Sequence, residues 1–219
     1  MMRHLIIFTR APQLGAVKRR LAADIGQMAA LRFHRTMQMQ LARGIAKDKR
    51  WKTWVAMTPD VCTKNSFNVR AGVTYLKQGR GDLGKRMAHC FRVLPPGPAV
   101  LVGSDIPEIR REHIARAFEE LGRNDAVFGP ASDGGYWLVG LKRLRPIMGG
   151  PFSKTLFTDV RWSSEHALND TLAALGPHAH TGMIETLSDV DSAGDYDHWR
   201  RLCSSSRGMI STKLQGRNR

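Results

Sequence analysis

The fold of this chain is set by the stretch Val100-Leu-Val-Gly-Ser-Asp-Ile-Pro-Glu-Ile109. The apolar run 99–102 has the composition of a short strand that is buried on both faces of a parallel sheet. The run stops at Gly103, and Asp105 follows at the point where such a strand would end. Since ligands of open α/β sheets bind beyond the carboxyl ends of the strands, we expect Asp105 to meet a ligand. The alternative is that Asp105 only caps the helix that follows it.

Predicted strands and helices alternate on both sides of this stretch. Short apolar runs predict further strands at 4–8, 53–57, 73–76, 126–128, 136–141 and 182–187. Segments with apolar residues at helical spacing lie between them, and the clearest contains Phe33, Met37, Leu41 and Ile45. This alternation predicts an α/β fold in which a mostly parallel sheet lies between two layers of helices.

Length and composition describe one globular domain, to which we assign residues 1–203. The chain has 219 residues, of which 42% are hydrophobic and 24% charged, enough to bury a sizeable core. No apolar run is long enough for a signal peptide or a membrane span, and the three cysteines form no C-x-x-C pair. A disulfide framework and a zinc site are therefore not expected, and the predicted location is the cytoplasm.

The formal net charge of +15 indicates an anionic partner. Four positive charges lie in residues 204–219, a basic tail without acidic residues or periodicity that we expect to be disordered. The charge of the body suggests phosphorylated small molecules, nucleic acid or a membrane surface. The sequence has no nucleic-acid recognition motif and no basic run interleaved with aromatic residues, so nucleic acid is not the expected partner.

The loop after the first predicted strand, Thr9-Arg-Ala-Pro-Gln-Leu-Gly-Ala-Val-Lys-Arg-Arg-Leu21, is a candidate phosphate site. Gly15 would let the backbone approach a ligand closely, and the helix start would offer free N–H groups to a phosphate. Lys18 and Arg20 would add positive charge, and we expect both side chains to be solvated when no ligand is bound. The alternative is an ordinary surface loop that leads into a solvated basic helix.

The stretch Gly129-Pro-Ala-Ser-Asp-Gly-Gly-Tyr136 is a second candidate. Adjacent glycines usually serve unusual dihedral angles or the close approach of a ligand. Asp133, directly before them, could act as a general base or bind a substrate hydroxyl. Alternatively, its side chain bonds the backbone of its own turn.

Carboxylates also cluster in Asp189-Val-Asp-Ser-Ala-Gly-Asp195. Asp195 stands three residues after Ser192, a spacing that resembles a capping box and predicts a structural role. Asp191 is a candidate metal ligand, because Mg²⁺ bound with a diphosphate takes only one or two protein carboxylates. Asp105 and Asp191 together would meet that need.

These stretches belong to an ordered set of motifs that covers nearly the whole chain. Together they resemble a bacterial family of glycosyltransferase-A-like proteins, largely uncharacterised, in the nucleotide-diphospho-sugar transferase superfamily. The matching pieces are Ala11-Pro…Gly15…Val17-Lys18…Arg20-Leu21, Gly81-Asp-Leu-Gly84…Arg86-Met87, Gly103-Ser-Asp-Ile-Pro107, Gly129-Pro-Ala…Asp133-Gly-Gly-Tyr136…Gly140-Leu141, Trp162-Ser163 and Asp189-Val-Asp191…Asp195.

Some positions depart from the family's usual residues. Arg10 replaces the usual Lys, Arg19 the usual Thr, and Ser132 the usual Glu. Ser192-Ala-Gly replaces the usual Thr-Pro-Glu. The change at Ser132 removes a carboxylate beside Asp133.

The resemblance implies a three-layer αβα, Rossmann-like fold and a metal-dependent site. It assigns Asp105 and Asp191 as ligands of Mg²⁺ or Mn²⁺, and Asp133 and Lys18 to the catalytic machinery. The residues that would bind the nucleotide or substrate are Arg10, Gly15, Lys18, Arg20, Gly81, Asp82, Gly84, Gly134, Gly135 and Tyr136.

The function that this resemblance implies is transfer of a glycosyl group from a nucleotide-diphosphate sugar to an acceptor that the sequence does not identify. The alternative is a nucleotidyltransferase of the guanylyl or cytidylyl type, in which the basic loop grips a nucleoside triphosphate. A different class altogether is a non-catalytic binding protein that has kept the fold.

Overall fold

The computed structural model describes residues 1–61, 72–143 and 156–215, of which residues 206–215 are described by their backbone alone. Strands and helices alternate as the sequence predicts. The strands are β1 (His4–Arg10), β2 (Lys52–Thr58), β3 (Val73–Lys77), β4 (Ala99–Val102), β5 (Ala126–Pro130), β6 (Tyr136–Leu141) and β7 (Thr181–Met183). The helices are α1 (Arg19–Ile25), α2 (Gln27–Gly44), α3 (Leu83–Val93), α4 (Arg111–Glu120), α5 (Ala167–Leu175) and α6 (Ala193–Gln215).

The strands form one seven-stranded sheet in the order β3-β2-β1-β4-β6-β5-β7. Strands β1 to β4 are mutually parallel, and β7 is parallel to β5. Strand β6 runs antiparallel to both of its neighbours, β4 and β5. The predicted mostly parallel sheet is confirmed. All four residues of β4 are buried as expected, although one of its two neighbours is antiparallel.

Successive strand residues enter two separate cores, one on each face of the sheet. Leu5 and Ile7 belong to a cluster that contains side chains of α2 and α4, whereas Ile6 belongs to a cluster with α3 and α5. Because neighbouring side chains of a strand point to opposite faces, a sheet covered on both sides requires apolar residues without alternation. The three-layer αβα arrangement follows directly from these unbroken apolar runs.

The strand order reverses where β1 lies beside β4, and a ligand crevice is expected at such a point. The carboxyl ends of β1 to β5 lie at the same edge of the sheet, together with the amino end of β6. The loop after β1, the Asp105 segment after β4 and the β5–β6 loop therefore meet at this edge. These loops contain most of the candidate site residues that were predicted from the sequence.

Helix α6 packs on a small third core, the α6 cluster. The Trp199 ring lies edge-on against Phe33 with centroids 5.0 Å apart, and Tyr196 contacts the same ring at 6.0 Å. The helix then continues to Gln215, which corrects the prediction of an irregular tail from Ser204. That segment contains no proline and extends an existing helix, so it requires only propagation and no new nucleation.

Two further findings concern the membrane and the thiols. None of the helices among the described residues is both long and apolar enough to cross a membrane. Cys90 is a buried free thiol and Cys203 an exposed one, while Cys62 lies outside the described residues.

Replacing Trp199 by Ala should lower the free energy of unfolding by about 1–3 kcal/mol, because its ring packs against Phe33 in the α6 cluster. Deleting residues 204–219 should leave the melting temperature nearly unchanged, because residues 200–205 are exposed. Urea denaturation of both variants beside the full chain measures the difference. Equal destabilisation by the two changes would show that the end of α6 packs on the body.

Candidate active site

A cavity of about 660 Å³ opens at the carboxyl edge of the sheet. It is bordered by the loop after β1, the segment after β4, the β5–β6 loop, the start of α3 and the chain before α6. A cavity of this volume suits a small-molecule or cofactor-sized ligand. Eight residues selected from the sequence line it: Arg10, Lys18, Arg20, Asp105, Asp133, Gly135, Tyr136 and Asp191.

The ammonium group of Lys18 lies between two carboxylates in this cavity. Its Nζ is 3.2 Å from Asp105 Oδ2 and donates a hydrogen bond to Asp191 Oδ1. The backbone of Lys18 has φ 46° and ψ 53° at the start of α1, a left-handed conformation that is costly for a side chain with a Cβ. The two ion pairs compensate for this strain at the point where the loop becomes a helix.

The prediction that Lys18 is solvated without a ligand is wrong. Only 4% of its side chain is exposed, because it neutralises two carboxylates that would otherwise face each other without a counter-charge. Arg20 does match the expectation, since 74% of its side chain is exposed and its Nη1 lies 3.6 Å from Asp191 Oδ2. The basic loop thus places one ammonium inside the cavity and one guanidinium at its rim.

Asp105 is held by a chain of buried hydroxyl and amide groups. Ser104 Oγ donates a 3.0 Å hydrogen bond to Asp105 Oδ1 and accepts a 2.9 Å bond from Thr9 Oγ1. Thr9 Oγ1 in turn accepts a 2.9 Å bond from Gln38 Nε2. Helix α4 begins six residues after Asp105, with Arg110 as its N-cap. The alternative that Asp105 only caps this helix is therefore wrong.

His34 approaches the same carboxylate from α2. Its Nδ1 lies 3.7 Å from Asp105 Oδ1 and has no hydrogen-bond partner in the described part of the chain. Its Nε2 lies 3.0 Å from the carbonyl oxygen of Arg10 and 3.1 Å from Gln38 Nε2. Sequence reasoning missed His34 and Gln38. The available signal was a pair of polar residues four apart that directly follow the apolar positions Phe33 and Met37.

Asp105 and Lys18 stabilise each other's charged forms. Burial alone would raise the pKa of Asp105, but His34 and the Lys18 ammonium outweigh it and hold that pKa well below its usual range. Burial alone would lower the pKa of Lys18, but Asp105, Asp191 and Asp189 raise it. The two groups therefore form an ion pair at neutral pH.

Asp189 is a carboxylate whose pKa moves in the opposite direction. Burial, followed by the neighbouring Asp191, raises the pKa of Asp189 to about 6, although Lys18 acts against the shift.

Asp195 has the structural role that the sequence predicted. Its Oδ2 accepts a 2.9 Å bond from the Ser192 N–H and a 2.7 Å bond from the Ser192 hydroxyl.

Asp133 lines the cavity from the β5–β6 loop, and its residue is exposed. Its Oδ1 accepts a 2.9 Å hydrogen bond from the Gly135 N–H, which is the turn geometry that the sequence offered as the alternative reading. Among the described residues, no hydrogen bond reaches Asp133 Oδ2. The turn therefore leaves one carboxylate oxygen available to a ligand.

Two glycines that the resemblance assigned to the ligand are required by packing. A Cβ on Gly84 would lie 2.5 Å from the carbonyl oxygen of Phe157, and one on Gly134 would lie 2.3 Å from that of Glu165. Both distances are impossible without moving backbone, so these positions need glycine even without a ligand. The predicted binding residues that do not line the cavity are Gly15, Gly81, Asp82, Gly84 and Gly134.

Asp82 and Tyr136 also have structural partners. Asp82 caps α3, since its Oδ1 accepts a 2.8 Å bond from the Lys85 N–H. Tyr136 borders the cavity, but its ring packs edge-on against Phe128 and Trp162. Burial raises the pKa of the Tyr136 hydroxyl. Tyr136 therefore supports the cavity wall, whereas Asp82 stabilises the start of α3.

The carboxylates suit a hard divalent cation. Asp105 and Asp191 converge on the point where Lys18 Nζ lies, and Mg²⁺ or Mn²⁺ takes one or two carboxylates with phosphate and water completing its shell. Among the described residues, no three His, Cys, Asp or Glu side chains form a ready metal site. Two carboxylates do not complete the shell of such a cation, so a cation held here would need phosphate or water ligands as well.

The fold is that of a glycosyltransferase-A-like α/β protein. A proposed nucleotide-diphospho-sugar transferase from Desulfovibrio desulfuricans G20 is 25% identical with a TM-score of 0.78, over 92% of this chain and 88% of that one. 4-Diphosphocytidyl-2C-methyl-D-erythritol synthase from Anaerococcus prevotii DSM 20548 is 8% identical with a TM-score of 0.59, over 92% and 96%. CMP:2-keto-3-deoxy-manno-octonic acid synthetase complexed with CTP is 9% identical with a TM-score of 0.60, over 94% and 100%. The last two show a common fold alone.

The chain belongs to the family described as an uncharacterized protein conserved in bacteria (DUF2064). The sequence profile of that family matches residues 41–164, more than half of the chain. A comparison with curated proteins gave no match. Family and fold together confirm the resemblance on which the site assignment was based.

Replacing Lys18 by Ala should lower the free energy of unfolding by about 2–4 kcal/mol at pH 7, because it removes the counter-charge of Asp105 and Asp191. Both carboxylates keep some contact with solvent, which limits the loss. Arg20→Ala is the matched control and should cost less than about 1 kcal/mol, since its ion pair is exposed. Urea denaturation in the presence of a chelator measures both. Equally small losses would show that Lys18 does not bridge the aspartates.

Replacing Asp189 by Asn should stabilise the protein at pH 7.5 but not at pH 4. The raised pKa means that the folded state binds the proton of Asp189 more tightly than the unfolded state does. This contribution is complete below about pH 4 and is lost as the pH rises through about 6, whereas asparagine stays neutral throughout. Melting temperatures of both proteins from pH 4 to 8, in chelator, test this. A difference that does not vary with pH would contradict it.

Proposed function

We propose that this protein is a transferase for a nucleotide-activated substrate, and that it transfers a glycosyl group from a nucleotide-diphosphate sugar with the help of Mg²⁺ or Mn²⁺. The observation that carries this proposal is the convergence of Asp105 and Asp191 on Lys18 inside the cavity at the carboxyl edge of the sheet. The 25% identical relative, itself a proposed nucleotide-diphospho-sugar transferase, supports the same class.

Lys18 is the residue that would change partners on substrate binding. A divalent cation bound by Asp105 and Asp191 would repel the ammonium, and the diphosphate would offer it a new partner. Arg20 at the rim, with most of its side chain exposed, can close on the same diphosphate in a bidentate contact. The basic loop would then hold the leaving group from two sides.

Asp105 and Asp191 would hold the divalent cation once Lys18 has turned to the diphosphate. When bound, the cation would neutralise the negative charge that develops on the leaving diphosphate. The low pKa of Asp105 keeps this carboxylate ionised, the form that a cation needs. The hydrogen bond from Ser104 orients this carboxylate, so little rearrangement would be required.

Asp133 would bind the hydroxyl of the acceptor and orient or deprotonate it. Its Oδ1 is engaged in the turn with Gly135, which leaves Oδ2 for the acceptor. Asp189 is a second group able to take a proton near neutral pH, since its pKa is raised to about 6. A base works best when its pKa lies close to the working pH.

A nucleotidyltransferase is the second candidate, and the positive charge around the cavity favours it. Arg10, Lys18, Arg19, Arg20 and Arg86 all border the cavity, a number of cations that suits a triphosphate. In that reaction the same loop would grip the triphosphate, and pyrophosphate would leave. A guanylyl or cytidylyl transfer would use the same two aspartates.

Nucleotide-diphosphate sugars should raise the melting temperature more than nucleoside triphosphates do, and should need Mg²⁺ for the full effect. A ligand at 100 times its Kd stabilises a folded protein by about 2.7 kcal/mol. A thermal-shift screen of both ligand classes, with and without Mg²⁺, measures this. A larger shift with triphosphates would favour nucleotidyl transfer over glycosyl transfer.

The variants Asp105→Asn and Asp191→Asn separate a shared cation site from adventitious stabilisation. Each should abolish the Mg²⁺-dependent part of the shift, because each removes one ligand charge. Asp197→Asn is the matched control, an exposed carboxylate on α6. An Mg²⁺-dependent shift that persists in both site variants would contradict the shared cation site.

A further inference from the structure

Arg86 is a charged side chain in the cavity wall that forms no ion pair with a carboxylate of the described residues, although Asp60 and Asp82 attract it at longer range. It lies on α3, where its Nη1 donates a 3.0 Å hydrogen bond to Gln78 Oε1 and its guanidinium lies 5.6 Å from the centre of the Phe8 ring. Its Nε is buried and has no hydrogen-bond partner among the described residues. No carboxylate in the described ranges forms an ion pair with this guanidinium.

Arg10 adds a second positive charge on the same side of the cavity. It is the last residue of β1, its side chain is exposed, and it lines the cavity together with Arg86. Burial, followed by the charge of Arg10, lowers the pKa of the Arg86 guanidinium. Lys18 differs from both arginines, because Asp105 and Asp191 neutralise it.

The hydrogen bond to Gln78 does not require the charge of Arg86. The Gln78 side chain is already fixed by the hydrogen bonds that its Nε2 donates to the carbonyl oxygens of Thr9, at 2.9 Å, and Ala56, at 2.8 Å. Its Oε1 needs a donor, but a neutral donor would serve equally well. Partial burial of an unpaired guanidinium costs free energy that an arriving anion would recover.

We propose that Arg86 and Arg10 form an anion subsite that binds a phosphate or carboxylate group of the substrate, separate from the cluster of Lys18 and its two aspartates. The inference rests on the proposed function only in taking the cavity as the substrate site. The Arg86 guanidinium lines the cavity, and a guanidinium binds oxyanions through charge-assisted hydrogen bonds. The two arginines would thus bind a second anionic group of the substrate, distinct from the diphosphate that binds with the cation.

The experiment is calorimetric titration of the full chain with inorganic phosphate, pyrophosphate and malonate, in chelator and at constant ionic strength. The variants are Arg86→Met and Arg10→Met, which remove a charge while keeping an unbranched side chain. Arg92→Met, an exposed arginine on the same helix, is the matched control. Each site variant should weaken anion binding about tenfold or more, because each loses a charge-assisted contact. Arg92→Met should bind as the unaltered chain does.

Preference for phosphate or pyrophosphate over malonate identifies the bound group as a phosphate, and the reverse preference identifies a carboxylate. Unchanged anion affinity in Arg10→Met overturns the subsite, even if Arg86→Met does not fold, since the Arg10 side chain is exposed. Absence of anion binding to the unaltered chain overturns it as well. Anion binding that depends on both arginines, without any response to nucleotides, would contradict the proposed function and leave the subsite standing. Nucleotide binding that is unaffected in both variants would contradict the subsite and leave the proposed function standing.

Discussion

Three segments far apart in the sequence meet at one ammonium group. Lys18 follows β1, Asp105 follows β4, and Asp191 precedes α6, 173 positions after Lys18. Neither Lys18 nor Asp105 would keep its charge easily in this cavity alone, because burial lowers the pKa of the lysine and raises that of the aspartic acid. Apolar packing brings the strands and helices together, but this ion cluster decides how their connecting loops are held. Lys18 adopts a left-handed backbone conformation within that arrangement.

The same cluster makes the charge of the cavity uneven. Around Lys18 the carboxylates prevail, and the raised pKa of Asp189 shows that the addition of one more negative charge there is unfavourable. Arg10 and Arg86 form no ion pair with any carboxylate in the described ranges. Under the proposed function, a cation would be favoured at one part of the cavity and an anion at another. A nucleotide diphosphate that binds with a divalent cation supplies both charges in one ligand.

The fold could be predicted because a sheet covered on both faces leaves unbroken apolar runs, even in a strand as short as β4. The same reasoning placed Asp105 at the ligand edge, since it requires only the end of that strand. The direction of β6 could not be predicted, because an apolar run has no polarity. The helical structure beyond Ser204 was not predicted for another reason. Helix α6 is already packed at Trp199, and a packed helix can propagate into a segment with no apolar face of its own.

The supporting residues of the site were beyond sequence reasoning because their partners are distant in the chain. Ser104 meets Thr9 across 95 positions, and Gln78 meets Thr9 across 69. The periodicity of residue types along the sequence does not predict such contacts, because they form only after β1 has paired with β2 and β4. His34 and Gln38 left a weak trace as polar residues beside the apolar stripe of α2. Their partners became identifiable only from the packing of α2 against the end of β1.

Ser132 illustrates how charge limits what this site tolerates. The family that the chain resembles usually has Glu there, whereas Ser132 Oγ donates a 3.0 Å hydrogen bond to Ser188 Oγ, one residue before Asp189. A glutamate would add a carboxylate beside a group whose pKa is already raised to about 6 by burial and by Asp191. It would require either a further cation or a proton on one of the acids. The serine instead ties the β5–β6 loop to the chain leading into Asp191, and it leaves Asp133 as the one carboxylate in residues 131–135.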